Sequence, residues 1–252
     1  MSEPLLIRYM QPLITGRRAE CFALIADALA ADMGAEELLC DVVWPAMVQI
    51  ERLYRDDRVN MATEHMACRI NRVVADQLQP RLRTQPANGK RVIVTSAESV
   101  QEELGAEIVA DLLQADGWDV YLVGGGVPHD EILALVGQHR PEVLLLFGTS
   151  PEDVPDTRKL VELIREVGVC PTMNIVVSGG IYNRADGLWQ EVGADLFSPE
   201  ARELRTCLRD LPPRAPHTPR LGVVKKRRRR RKGAGAATAL RPAQVLEAVP
   251  VM

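Results

Sequence analysis

From Cys21 to Leu78 the apolar residues recur three and four positions apart. In "LLCDVVWPAMVQIERLY" the residues Leu39, Val42, Val43, Ala46, Met47, Ile50, Leu53 and Tyr54 fall on one broad stripe, which predicts a helix. "MATEHMACRINRVVADQL" repeats the device with Ala62, Met66, Ile70, Val73, Val74 and Leu78, and "RAECFALIADALAADMG" predicts a further helix that stops at Gly34. Short connections such as "RDDRVN" favour antiparallel neighbours, so residues 1–82 are expected to form a helical bundle. Two prolines and a glycine in "PRLRTQPANGK" then mark a linker.

Beyond residue 90 the period changes. The short apolar runs "RVIVTS", "WDVYLVG", "EVLLLFG", "MNIVVSGG" and "ADLFS" alternate with helical patterns at 101–116, 129–139, 155–168, 184–192 and 200–210. Such alternation predicts a parallel sheet with helices on both faces, and unbroken strands such as Val143 to Phe147 fit a sheet buried on both sides. The expected fold class is therefore α/β: an N-terminal helical bundle (1–82), then a flavodoxin-like, doubly wound, five-stranded parallel sheet (90–211). Ligands of such sheets sit past the carboxyl ends of the strands, which directs attention to "SAESVQEELG", "GGGVPHD", "GTSPED" and "GGIYN".

Charge divides the chain differently. Residues 1–212 carry 20 basic and 33 acidic residues, whereas the remainder carries 11 basic residues and one acid. Most of that excess is the run Lys225, Lys226, Arg227, Arg228, Arg229, Arg230, Arg231 and Lys232, set between "PPRAPHTP" and "KGAGAATA". Residues 212–252 are thus expected to be a disordered basic tail, and eight consecutive cations would bind nucleic acid or another polyanion without sequence specificity. No long apolar run or leader pattern occurs, so no membrane partner is expected and the predicted location is the cytoplasm. The five cysteines are scattered without a C-x-x-C pair, which argues against a disulfide framework or a structural zinc site.

No Ser-His-Asp order, P-loop or carboxylate pair stands out, so the chain is not expected to be an enzyme. "SVQE", Ser99 to Glu102, reads as a capping box, with the Glu102 carboxylate reaching back to the helix start. Gly124 to Gly126 read as a turn before a helix begun by Pro128. Gly179 and Gly180 permit close approach of backbone, either to a flat ligand edge or within a tight turn.

The order of bundle and sheet, with "PAM" at Pro45 to Met47, "ERLYRDDRVNMATEHMACRI" and "ADGWDVYLVGGGVPHDEIL", resembles the cobalamin-binding module of methionine synthase, corrinoid methyl-carrier proteins and cobalamin- or haem-dependent photosynthesis-gene regulators. The resemblance covers about residues 10 to 205. It implies a tetrapyrrole cofactor, cobalamin or haem, between bundle and sheet. Tyr54 stands where the family usually has tryptophan, while Glu64 and His65 match its Glu-His pair facing the upper side of the corrin. The family's Asp-x-His-x-x-Gly, whose histidine binds cobalt from below, aligns on Gly105 but has Val100 and Glu102 at the Asp and His positions. A serine that lines the pocket for the dimethylbenzimidazole tail falls at or near Phe147, with Thr149 and Ser150 close behind. Gly179 and Gly180 match the family's later Gly-Gly. His65 is the remaining candidate metal ligand, and His129 lies near the expected cleft.

The resemblance implies a regulatory sensor acting on a transcription regulator or another protein, with nucleic acid as a further partner of the tail. Its alternatives are a corrinoid methyl carrier serving a methyltransferase and a degenerate module kept as an interaction scaffold.

Overall fold

Why the bundle forms is visible in its longest stripe. A computed structural model describes residues 4–96, 100–148 and 150–215, with backbone only for 100–102. Helices α1 (Leu5–Ile14), α2 (Arg18–Ala30), α3 (Ala35–Leu38), α4 (Trp44–Arg55) and α5 (Met61–Leu78) make the N-terminal layer. The single helix expected from Leu39 onward is instead α3 and α4 joined by a π turn, Leu39–Val43. Pro45 supplies the reason: it has no N–H to give and its ring would strike the carbonyl one turn back. The wider turn relieves that clash, and the Trp44 N–H donates to the Leu39 carbonyl. Asn60 caps α5, its side chain accepting from the Thr63 N–H at 2.9 Å.

The second layer alternates as the sequence predicts, with one exception: β1 (Arg91–Ser96), α6 (Val100–Ala115), β2 (Asp119–Gly124), α7 (His129–His139), β3 (Val143–Phe147), α8 (Val154–Val167), β4 (Asn174–Ser178), α9 (Gly180–Arg184), α10 (Leu188–Glu191), β5 (Leu196–Phe197) and α11 (Ala201–Arg209). The one helix expected at 184–192 is two short ones, α9 and α10. All pairings are parallel and the strand order is β2-β1-β3-β4-β5. Because side chains alternate along a strand, Val94, Leu145, Phe147 and Val176 join one core with α6, α11 and the N-terminal helices. Ile93, Leu144, Leu146 and Val177 join another with α7 and α8. The helical layer therefore shares its core with one face of the sheet. The turn at Gly124 and Gly126, both with positive φ, precedes Pro128 as expected. Among the described residues no helix is long and apolar enough to cross a membrane.

Two ionic clusters fasten the layers. Arg205 of α11 grips Asp116 and also reaches Glu36 of α3. Arg72 of α5 pairs with Glu107 and Glu103 of α6. Behind that pair, burial first, then Glu107 and Asp76, push the Asp111 carboxyl up to about 6. A carboxyl raised in the folded state contributes stability at low pH and loses it as pH climbs through the raised value. Asp111→Asn is expected to be more stable than the parent at pH 7.5, with the gap closing toward pH 5; urea midpoints across that range, if they kept a constant gap, would dismiss the idea.

The predicted tail boundary shifts. Residues 212–215 are fastened to the sheet: the Pro212 carbonyl accepts from Asn174 Nδ2 at 2.9 Å, the Arg214 N–H donates to Thr172 O at 2.9 Å, and Arg214 Nε donates to Asp195 at 2.8 Å. Asp195 draws the segment in, since its carboxylate also accepts from Arg165 and from the Ile175 N–H. The run Lys225 to Lys232 lies outside the described residues.

Candidate functional site

A cavity of about 190 Å³ lies between α4 and α5 on one side and the ends of β3 and β4 on the other. Its walls are mainly apolar. Trp44 meets Phe147 edge to face, with ring centroids 6.4 Å apart. A Cβ placed on Gly105 of α6 would lie 3.3 Å from the Phe147 ring and 3.6 Å from the Met47 methyl, so glycine is what allows this close seat.

Polar groups enter at defined places. Glu64 is 6% exposed, and burial pushes its carboxyl upward, with Glu51 acting in the same direction. Cys68, one turn further along α5, lines the same cavity, and burial pushes its thiol up to about 11. Across the cavity Arg184 of α9 donates to Glu51 of α4 at 2.5 Å, and Arg55 also approaches Glu51 at 3.2 Å. A partly exposed ion pair of this kind is worth at most about 1 kcal/mol. Glu51→Gln is accordingly expected to leave the unfolding midpoint nearly unchanged while speeding amide hydrogen exchange along α4; unchanged exchange would mean that the pair does not hold the cleft closed.

The two adjacent glycines have different tasks. Gly179 has φ +109°, and a Cβ there would fall 2.2 Å from the Gly148 carbonyl oxygen, so it serves a tight turn of the chain on itself. Gly180 faces the cleft, its would-be Cβ lying 2.9 Å from Arg184 Nη1 and 3.5 Å from the Glu51 carboxylate. The tight-turn reading fits Gly179, while Gly180 lines the cleft.

Of the residues singled out from sequence, Glu64, Gly105, Gly179 and Gly180 meet at this cavity. His65 does not: it is exposed, because successive helical residues are turned about 100° apart and Glu64 takes the inward position. It therefore stands outside the lining of the cleft. Tyr54 is half-buried on α4 and outside the lining; Trp44, ten residues earlier, supplies the aromatic wall. His129 belongs to a larger cavity, about 610 Å³, on the α7–α8 side of the sheet, where its Nε2 lies 2.9 Å from Asp156. Ser150 caps a short turn, its Oγ accepting from the Glu152 N–H at 3.3 Å. The Glu102 side chain, Thr149 and the proposed Ser99 cap fall outside the described residues. Among those described, no group of three His, Cys, Asp or Glu could hold a metal. Sequence reasoning missed Trp44, Glu51 and Arg184; the only hint was that Arg184 follows Gly180 by one helical turn.

Comparison with known proteins bears directly on this cleft. Residues 6–79 and residues 90–205 match two family models, each described as a B12 binding domain. The chain belongs to the B12-binding family. Dimethylamine corrinoid protein 3 of Methanosarcina mazei is 25% identical over 121 residues, 48% of this chain and 71% of that one. Monomethylamine corrinoid protein 1 of Methanosarcina acetivorans is 22% identical over 198 residues, 76% of this chain and 89% of that one. The solved monomethylamine corrinoid protein of Methanosarcina barkeri has the same fold, with a TM-score of 0.72 at 18% identity, covering 81% of this chain and 96% of that one.

This B12-binding chain fits one part of its family's cofactor and not another. Bare backbone at Gly180, the apolar wall and the inward Glu64 carboxyl suit the edge of a flat macrocycle bearing polar substituents. The lower face lacks its imidazole: no histidine occurs between His65 and His129, and the carboxylate of Glu102 is a harder donor, better matched to harder ions than cobalt.

Proposed function

We propose that this chain is a corrinoid carrier that holds the corrin ring between the α4–α5 hairpin and the ends of β3 and β4 and presents it to a methyltransferase. One observation carries the proposal: Glu64, Gly105, Gly179 and Gly180, distant in sequence, converge on a single apolar cleft at the sheet's carboxyl edge. The names of the relatives, corrinoid proteins for monomethylamine and dimethylamine, favour a carrier over the regulator implied by the first resemblance. The regulatory alternative leans on the basic run, and no contact among the described residues favours it.

A bound corrinoid supplies a cobalt centre able to accept and surrender a methyl group. The protein's part is to hold and shield. Gly180 gives the ring edge access to backbone; Trp44 and Met47 roof it against water; Glu64, whose carboxyl burial pushes upward, sets one polar group against the ligand. The Glu51–Arg184 pair closes the mouth and parts when a partner needs the upper face. Haem is the poorer fit, because its iron takes an imidazole or a thiolate, and this cleft offers neither: His65 faces away and the Cys68 thiol is held protonated.

The test uses the full chain. Incubation with hydroxocobalamin followed by gel filtration is expected to leave cobalamin absorbance on the protein, and haemin to wash through. Loaded with methylcobalamin, the chain is expected to lose the methyl group only when a corrinoid-dependent methyltransferase and a thiol acceptor are both supplied. Absence of retained colour would reject the proposal.

A further inference from the structure

The run Lys225 to Lys232 takes no part in the corrin cleft, and its charge calls for a partner. Residues 216–252 carry ten basic residues and one acid, Glu247, which stands 15 positions beyond the run. Residues 1–212 carry 33 acids against 20 bases, so the rest of the chain repels a polyanion and any attraction has to come from the run.

The chain leaves the α/β layer at a defined place. The Arg214 N–H donates to Thr172 O and its Nε to Asp195, while Pro212 O accepts from Asn174 Nδ2. Asn174 begins β4, Thr172 lies just before it and Asp195 just before β5. Because every strand runs parallel, these partners all stand at the amino edge of the sheet. The corrin cleft is at the carboxyl edge. Only residues 216–224 separate the anchored segment from the first lysine of the run.

Composition selects among polyanions. Five of the eight cations are arginine, whose planar fork engages two phosphate oxygens at once, where lysine offers a point charge. No Phe, Trp or Tyr occurs from residue 216 onward, so nothing there stacks on unpaired bases or seats an aromatic ring in a membrane interface. What remains is attraction to phosphate in proportion to its density, and a duplex is dense, with about one charge per 1.7 Å of axis.

We infer that residues 225–232 bind double-stranded nucleic acid through its phosphates, without reading sequence, on a segment that leaves the fold at the edge opposite the corrin cleft. Duplex binding and cofactor holding then proceed together, and the first does not rest on the corrinoid reading.

Fluorescence anisotropy of a labelled DNA duplex titrated with the full chain, from about 50 to 200 mM salt, is the deciding experiment. A plot of log association constant against log salt is expected to slope at about −5 to −7, near −0.9 for each phosphate met. Two duplexes of unrelated sequence are expected to agree within about threefold. With Arg227, Arg228, Arg229, Arg230 and Arg231 each changed to Gln, the slope is expected to shrink by about 4 to 5 and affinity to fall at least about tenfold, with the urea midpoint and cobalamin retention unchanged. A slope shallower than about −2, or one that this variant leaves as it was, would overturn the inference. Tighter binding to a single strand of the same length, or to phosphatidylserine vesicles, would overturn it too and assign the run to another partner. Saturating hydroxocobalamin is expected to change duplex affinity by less than about threefold; pigment that expels the duplex, or duplex that expels the pigment, would contradict their separation to opposite edges.

Discussion

Arg205→Met is expected to lower the free energy of unfolding by about 3–5 kcal/mol, the usual cost of removing one partner from a buried ion pair. Arg205 of α11 is largely buried and donates from Nε and Nη2 to the two oxygens of Asp116 at 2.7 and 2.5 Å, while Nη1 reaches Glu36 at 2.5 Å. The Asp116 side chain is 15% exposed, so without the guanidinium its charge stays out of water with no counterion. Glu36, half exposed, recovers its hydration and adds little. Arg205→Lys keeps the charge but loses the two-pronged geometry, and an intermediate loss is expected. The double variant Arg205→Met with Asp116→Leu should recover most of the stability, because the pair's removal together leaves no stranded charge. Urea unfolding of all three decides it; a single-variant loss below about 1 kcal/mol would put the pair among ordinary surface bridges.

The effect is large because of what Arg205 joins. α11 lies on the same face of the sheet as α6 and the N-terminal helices, and Leu204 and Leu208 of α11 belong to the core that all of them share. This arrangement was only partly legible in the sequence. Period alone placed α7 at 129–139, as found, and set the buried strands in order, because the apolar spacing of a helix or strand is local information. The contact of Arg205 with Glu36 spans 169 residues, and that of Arg184 with Glu51 spans 133. No local pattern encodes such pairs. The same limit explains His65: family resemblance nominated Glu64 and His65 together, yet only Glu64 is buried at the cleft while His65 is exposed. Pro45 is the opposite case, a single residue whose chemistry predicts a distortion that the stripe of apolar residues conceals.

Gly179→Ala is expected to destabilise the fold by about 3 kcal/mol or more and to abolish retention of cobalamin, with backbone strain and a backbone collision acting together. The residue holds φ +109° and ψ 167°, a region open in practice only to glycine. A Cβ there would meet three backbone atoms of Gly148: the oxygen at 2.2 Å, the carbon at 2.9 Å and the nitrogen at 3.0 Å. None of these can swing aside as a side chain would. The Gly148 N–H donates to Ser178 O at 3.0 Å, and its carbonyl accepts from the Ile181 N–H, so moving Gly148 also unlocks the end of β3 from the start of α9. Both lie beside the cleft. The neighbouring Gly180→Ala is the informative contrast, since its Cβ would press on the flexible end of Arg184, and only a small loss of stability is expected. Two adjacent glycines would then separate the two tasks: loss of fold and pigment together at Gly179, and a looser Glu51–Arg184 closure with the fold intact at Gly180. Equal urea midpoints for the two variants would contradict this division. Pigment retained by a folded Gly179→Ala chain would show that the β4–α9 turn is not needed to shape the ring's seat.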